Sequence, residues 1–379
     1  MLKRVKNMKK LAPVIKDFLK NEIVLIISFV LAVASAFVVT PNQGYIDYID
    51  FKTLALLLCL MAVMSGLNGL GVFGLLAEKL LRFANTTRSL TLWLCSLCFF
   101  SSMLITNDVA LITFVPFSVV ALKMSGKEKL LIPLVTLETV AANLGSMLTP
   151  VGNPQNLYLF SAFNMEIADF FAAVLPYAVL SFVLIVISAF FIKKESITTV
   201  SQGKSEEINT KLCVLYAVLF IVALLTVFRV IPYGITLAVS VVLILVFDRK
   251  ALAKVDYSLL FTFIFLFVFI GNLGNIESVS RFLGETVKGN EVAAGIAASQ
   301  VFSNVPAALL LSGFTDNIKD LLIGVNLGGL GTLIASMASL ISFKFVAKEK
   351  ISSGRYIAVF TAVNIVFLVM NIALHLVIR

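Results

Sequence analysis

Two stretches of this chain carry the residues that could do chemistry, and they carry them in the same order. Asn143 to Asn156 reads NLGSMLTPVGNPQN, and Asn326 to Ser339 repeats its pattern. Asn143-Leu144-Gly145 matches Asn326-Leu327-Gly328. At equal spacing Thr149 pairs with Thr332, Asn153 with Ser336 and Asn156 with Ser339. Both stretches interrupt apolar segments with glycine and, in the first, with Pro150 and Pro154, which weaken a helix through entropy or by removing a donor. At membrane depth a broken helix is tolerated only where its freed backbone is buried in protein or lines a cavity. Amides, hydroxyls and free carbonyls at such a break bind solutes. Oxygen suits a hard cation such as sodium, and N–H groups suit an anion.

A second pair of short motifs precedes the breaks. Ser102…Thr106-Asn107…Ala110 matches Ser299…Ser303-Asn304…Ala307, each at the meeting point of two apolar arms. Arm N-termini at 107 and 305 present N–H groups and positive dipole ends, and arm C-termini at 105 and 303 present carbonyls. The asparagines either bind a solute or cap the turn. The substrate-binding set is Thr106, Asn107, Asp108, Asn153, Asn156, Ser303, Asn304, Thr332 and Ser336. The sodium set is Thr106, Asn107, Gly145, Thr149, Gly152, Ser303, Asn304, Gly328 and Thr332, with the carbonyl of Gly331 as a further oxygen donor. Asp108 and Glu138 are carboxylates inside apolar segments, a functional hypothesis by default. They are the proton-carrier set; Asp108 is otherwise a dipole-stabilised cap, and Glu138 a paired buried group.

Catalytic and cofactor chemistry finds no constellation. The one histidine, His375, is near the C-terminus, and the Cys95–Cys98 CxxC has no partner pair. Gly69-Leu70-Gly71-Val72-Phe73-Gly74 satisfies GxGxxG but lies in an apolar span rather than after a strand, and no GxxxxGK[ST] occurs. The chain reads as no enzyme, with no cofactor other than a sodium ion, and it places no lysine or arginine at the central site.

The elements that position these residues are membrane spans. Of 379 residues, 60% are hydrophobic and 13% charged, against about 45–50% and about 25% in soluble domains. Spans are expected at about 23–40, 53–76, 130–163, 170–192, 212–229, 234–247, 257–276, 320–343 and 356–377, with arms at 91–105 and 107–122 and at 291–303 and 305–314. Lysines among Met8, Leu11, Ile15 and Phe18 suggest an amphipathic N-terminal helix on the membrane surface. The net charge of +9 follows the positive-inside rule rather than nucleic-acid binding. If each pair of arms is a hairpin, only Lys52, Arg229, Arg281, Lys288, Lys319 and Arg379 of the 30 lysines and arginines fall on the non-cytoplasmic face. Two full spans per pair leave that parity unchanged. The short arm at 305–314 favours a hairpin there, because about ten helical residues cannot cross about 30 Å.

The division is 1–22, a cytoplasmic amphipathic N-terminus; 23–192, a first inverted repeat; 193–229, a cytoplasmic linker and connecting span; and 230–379, a second inverted repeat. The connecting span inverts the second half, and sites in such proteins form at the repeat interface. The fold class is an all-α, polytopic helical transporter with two inverted repeats, each with a re-entrant hairpin and a broken transmembrane helix.

The Thr-Asn-Asp tip, the following TPVGNPQN, the Ser-Asn-Val-Pro-Ala tip and the NLGGLGT break resemble the ion-transporter superfamily, from about residue 25 to the end. That group contains divalent-anion/sodium symporters, citrate transporters, arsenite-efflux permeases and some sodium/proton antiporters. The resemblance implies an elevator motion against a dimeric scaffold, hence a homodimer in the cytoplasmic membrane. In the dicarboxylate branch each tip carries Ser-Asn-Thr; here Thr106, Asn107, Ser303 and Asn304 match, while Asp108 and Val305 depart. The expected activity is secondary active transport of a small carboxylate or inorganic anion coupled to sodium or protons. The alternatives are a sodium/proton antiporter and an arsenite-type efflux permease.

Overall fold

The computed structural model describes residues 22–81, 84–197, 209–349 and 352–378. The expected N-terminal amphipathic helix and most of the 193–211 loop lie outside them. The first part of the chain forms α1 (Ile23–Ala36), a single turn α2 (Gly44–Asp47), α3 (Phe51–Gly69), α4 (Val72–Leu81), α5 (Thr87–Ile105), α6 (Asn107–Met124), α7 (Leu131–Ser146), α8 (Pro154–Ala162) and α9 (Ile167–Phe190). The second forms α10 (Thr210–Val227), α11 (Tyr233–Ala253), α12 (Tyr257–Gly274), α13 (Glu277–Val287), α14 (Glu291–Phe302), α15 (Asn304–Ser312), α16 (Ile318–Leu327), α17 (Met337–Lys348) and α18 (Ser353–Ile378). Among the described residues β-pairing is confined to one isolated bridge, Thr86 with Ser196.

Seven of the described helices are long and apolar enough to cross a membrane, so the protein is an all-α polytopic membrane protein. Its burial pattern agrees. Along α18 the buried positions are Tyr356, Phe360, Asn364, Phe367, Asn371 and His375, while Ile365, Val366, Val369 and Met370 face outward. Polar side chains turned inward and aliphatic ones outward suit a hydrocarbon solvent.

Helix starts follow local chemistry. Asp50, Asp256 and Asn317 each accept the backbone N–H three residues on, at the N-caps of α3, α12 and α16. Thr86 and Ser89 form a capping box at α5. The expected span at 53–76 ends earlier, because Gly71 takes φ +74° and separates α3 from α4.

The helices pack in two groups. One contains α1, α3, α10, α11 and α12, in which α12 packs on α1 and α3 packs on α10 and α11. The other contains α5–α9 and α14–α18, centred on α7, which touches α5, α6, α9, α17 and α18. The groups meet where α3 packs on α8 and α12 on α15.

The two pairs of arms differ in length. α5 and α6 have 19 and 18 residues, enough to cross by length, whereas α14 and α15 have 12 and 9. Both pairs turn at one residue, Thr106 or Ser303, which ends one helix and caps the next. Thr106 is at φ 69°, ψ 154° and Ser303 at φ 73°, ψ 156°. This region is close to glycine-only, and it costs a non-glycine residue on the order of 1–3 kcal/mol.

Candidate functional site

Each break separates two half-helices whose facing ends are tied by side chains. In the first, α7 ends at Ser146 and α8 starts at Pro154, proline being a favoured first helical residue. Asn153 caps α8 by accepting the N–H of Asn156 at 2.9 Å. In the second, α16 ends at Leu327 and α17 starts at Met337 after Ser336. A short 3-10 turn, Leu333–Ala335, lies within the break.

The breaks bind one another reciprocally. Asn143 Oδ1 accepts from Ser336 Oγ at 3.0 Å. Asn326 Oδ1 accepts from Asn153 Nδ2 at 3.1 Å. Thus the asparagine near the end of each first half-helix accepts from the N-cap residue of the other break's second half-helix. Asn143 Nδ2 reaches Gly329 O at 3.4 Å, and Asn326 Nδ2 donates to Asn156 Oδ1 at 2.7 Å. The asparagines 107, 143, 153, 156, 304 and 326 and Ser336 are all at most 5% exposed. Buried amides need such partners, because an orphaned one costs about 1–3 kcal/mol.

The tips dock on these breaks. Asn107 Nδ2 donates to Asn143 Oδ1 at 3.0 Å, and its backbone N–H to Gly152 O at 3.3 Å. Thr149 Oγ1 donates to Met103 O. At the second tip, a Cβ on Gly329 would lie 3.0 Å from Asn304 Nδ2, so the asparagine rests directly on the backbone of the break. Gln300 Nε2 donates to Gly328 O and Leu330 O, each at 2.9 Å, and its Oε1 accepts from Thr332 N at 3.0 Å. The first tip therefore docks on the α7–α8 break.

The expected residues fall into three groups. Thr106, Asn107, Asn153, Ser303, Asn304 and Ser336 come together at the tips and breaks. Asn156 is fully enclosed, with Nδ2 bonded to the carbonyls of Ser146, Met147 and Thr149. Thr332 is exposed, and Ser339 is buried with an Oγ that has no partner among the described residues. Three of the four carbonyls expected to be free are already accepting: Gly145 O from Leu148 N, Gly152 O from Asn107 N and Gly328 O from Gln300. The glycines allow close approach instead. A Cβ on Gly145 would stand 2.1 Å from Phe99 O, and one on Gly328 would stand 2.5 Å from Ser299 Oγ.

The two carboxylates separate. Glu138 is fully buried between α5, α6 and α7, where Oε1 accepts from Ser118 Oγ at 2.7 Å and Cys98 Sγ lies 4.0 Å away. It lies outside the tip-and-break network. Asp108 follows the first tip, and its Oδ1 has no partner among the described residues. It lines a cavity of about 460 Å³ with Thr106, Asn153, Asn68, Lys254 and Asp256.

Lys254 adds a cation to the wall of this cavity, outside the tip-and-break network. As the residue that ends α11, it extends a long side chain to Gly69, where a Cβ would stand 3.6 Å from Nζ. A second cavity, of about 790 Å³, is lined by Lys52, Tyr158, Ser161, Asn164 and Lys288 among others. α8 is the wall between them, with Asn153, Pro154 and Leu157 on the first cavity and Tyr158, Ser161 and Ala162 on the second.

Sequence reasoning placed Asn143 and Asn326 at the start of the repeated pattern but not in the ligand sets; they are the hubs. It missed Gln300, whose signal was its long amide in the otherwise small and apolar arm EVAAGIAASQVF.

The family profile described as citrate transporter matches residues 14–319. The chain is 34% identical over 297 residues to an uncharacterized transporter of Methanocaldococcus jannaschii, covering 77% of this chain and 81% of that one. It is 29% identical over 290 residues to the inner membrane protein YbiR of Escherichia coli, covering 74% and 76%. Over 139 residues it is 24% identical to the putative transporter arsB of Dictyostelium discoideum, covering 37% of this chain and 24% of that one.

Proposed function

The chain belongs to the citrate transporter family, and from that premise we propose that it is a secondary active transporter of a small anion, carboxylate or inorganic, coupled to sodium or protons. The observation that carries this reading is the reciprocal pairing of the breaks, Ser336 to Asn143 and Asn153 to Asn326. A site built from both halves, at interrupted helices, is the arrangement of inverted-repeat carriers. The repeat boundaries are 23–192 and 230–379, with 193–229 between them.

In this reading α5–α9 and α14–α18 form the moving unit of an elevator, and α1, α3 and α10–α12 form the framework, in a homodimer. The solute lies between the tips, held by Asn107, Asn304, the hydroxyls of Thr106 and Ser303, and the half-helix N-termini. Asp108 takes the coupling sodium or proton. Glu138 is a separate proton carrier. The cavity that reaches Asp108 is the open, cytoplasmic half of the path, because it has Lys254 on its wall and the positive-inside rule assigns Lys254 to that side. The membrane is the cytoplasmic one, with the N-terminus inside.

A second reading has one observation in its favour. The side chains of the tip-and-break network are amides and hydroxyls, which suits a neutral hydroxylated solute of the arsenite-permease kind. Its rival is a sodium/proton antiporter using Asp108 and Glu138. Purified protein in liposomes, tested with carboxylates, phosphate, sulfate and arsenite under imposed sodium and pH gradients, separates them. Sodium- or proton-dependent anion flux is expected. Flux of arsenite alone supports the second reading, and sodium-driven proton release without any anion supports the rival.

A further inference from the structure

The positive-inside bias leaves few cations for the face opposite Lys254, and two of them converge on one helix end. Lys52, in the first turn of α3, donates from Nζ to Ser161 O at 3.2 Å. Arg229, just beyond α10, donates from Nη2 to Met165 O at 2.7 Å and to Phe160 O at 3.5 Å. Its guanidinium also stands 5.4 Å from the centre of the Phe160 ring. All three carbonyls belong to the C-terminal end of α8 and the turn after it. Phe160 O also accepts from Met165 N at 3.2 Å, and the helix end as a whole carries the negative end of the helix dipole. Arg229 makes these bonds from a left-handed backbone, at φ 66°. Such a conformation persists only where the surroundings impose it.

Both cations come from the framework group, and α8 belongs to the other group. The opposite end of α8 is the solute end, where Asn153 and Pro154 face the cavity of about 460 Å³. The two ends are separated by the nine residues of α8, a helix of roughly 13 Å. At the clasped end lies the larger cavity, with Lys52 and Ser161 on its wall, and the Tyr158 hydroxyl beside it bonded to Ser312 Oγ at 3.0 Å.

We propose that Lys52 and Arg229 form a latch that clasps the C-terminal end of α8 and holds the moving unit in the conformation open on the Lys254 side. They are positioning residues, remote from the solute, and act through the helix that carries Asn153. The inference rests on the alternating-access reading above, since a static protein has nothing to latch. Charge-assisted bonds of this kind are about twice as strong as neutral ones. Opening toward the Lys52 side separates α8 from the framework and breaks them.

The test uses a single cysteine at Val109, on the wall of the first cavity, in the full chain with Cys59, Cys95, Cys98 and Cys213 replaced by alanine. A membrane-impermeant maleimide is applied to right-side-out and inside-out vesicles. Lys52→Ala with Arg229→Ala is expected to shift the ratio of labelling between the two faces about tenfold toward the Lys52 side, as for a two-state equilibrium losing such bonds. Arg229→Lys with Lys52 intact, which keeps both cations, is expected to shift it less. Should the double variant fail to fold, Lys52→Gln and Arg229→Gln taken singly carry the same measurement. A labelling ratio equal to that of the parent protein in these variants overturns the latch. Failure of the transport reading looks different: no solute flux in liposomes from the parent protein, whatever the labelling ratio.

Discussion

The two hairpin tips share a backbone and divide the chemistry. Thr106 and Ser303 have φ and ψ within a few degrees of each other, and each precedes an asparagine that rests on its own break. Beyond that they differ. Asn107 is followed by Asp108, with one oxygen lacking a partner among the described residues, in a cavity shared with Lys254 and Asp256. Asn304 is followed by Val305 and Pro306, and Ser303 Oγ is buried without a partner among the described residues. The second tip borders a cavity of about 670 Å³ with Ser258, Thr262, Lys344 and Lys348 on its wall. One turn geometry therefore serves two different charge environments. Under the proposed function, the first tip is the place for a coupling cation, and the second contributes neutral donors.

The largest effect expected from this comparison is loss of transport at either asparagine. Asn107→Ala leaves Asn143 Oδ1 without its tip donor, and Asn304→Ala empties the contact with Gly329. Each is expected to lower flux roughly 100-fold in liposomes, the scale of a lost buried polar contact that also binds solute, while the protein elutes as folded on size exclusion. Full activity in both sinks the paired site. Full activity in one alone shows that the halves are not equivalent partners.

Next in size is Asp108→Asn. It is expected to shift the sodium or proton concentration for half-maximal flux by about tenfold, the effect of removing one ion ligand of about 1.4 kcal/mol. Val305→Asp is expected to give no matching ion response at the second tip, because Lys344 and Lys348 on the wall of that cavity offer the added carboxylate a fixed cation in place of a transported one. Equal ion dependence of Asp108→Asn and the parent protein would remove the carboxylate from the coupling site and restore the symmetry of the tips.

The difference between the tips was legible from residue types alone, and so were the paired motifs and the meeting of two arms at each tip, because spacing survives in sequence; the second turn is at Ser303, one residue before the gap left by the expected arms. What was not legible is who bonds whom. Nothing in the spacing says that Ser336 serves Asn143 while Asn153 serves Asn326, since those partners lie 193 and 173 positions apart. The sequence also places free carbonyls at Gly145, Gly152, Gly328 and Gly331. Neighbouring donors close the first three, and Gly145 and Gly328 are explained by close helix packing against Phe99 and Ser299. Lys254 was counted with the surface charge because its reach toward Gly69 depends on how α11 ends. The first pair of arms shows the same limit, as helix length could not say that the tip docks on the α7–α8 break.

Gln300 offers a smaller test. In the second hairpin its side chain provides the acceptor for Thr332, whereas in the first hairpin the backbone of Met103 accepts from Thr149. Gln300→Met makes the second tip resemble the first. It leaves Gly328 O and Leu330 O without that donor. Stability is expected to fall by about 1–3 kcal/mol, discounted toward the lower figure because Gln300 is half-buried. Met103→Gln removes no backbone acceptor and is expected to cost less than about 1 kcal/mol. Thermal unfolding in detergent measures both, and equal losses would show that the two docking schemes are interchangeable.

The smallest effect concerns the strain that the tips share. The backbone angles at Thr106 and Ser303 suit glycine and are hardest for a β-branched residue. Thr106→Gly removes that strain, on the order of 1–3 kcal/mol, but adds the extra chain entropy of glycine, about 0.5–1 kcal/mol. The net expectation is a stabilisation of about 1 kcal/mol. Ser303→Gly starts from a less crowded side chain, and it also deletes a buried hydroxyl that has no partner among the described residues. Relief of desolvation then adds to relief of strain, so its gain equals or exceeds that at Thr106 despite the smaller backbone strain. Flux should fall in both, because each variant loses a hydroxyl proposed to touch the solute. If either glycine variant is both more stable and fully active, the hydroxyl of that tip has no role in binding, and the strained turn serves only to aim the asparagine that follows it.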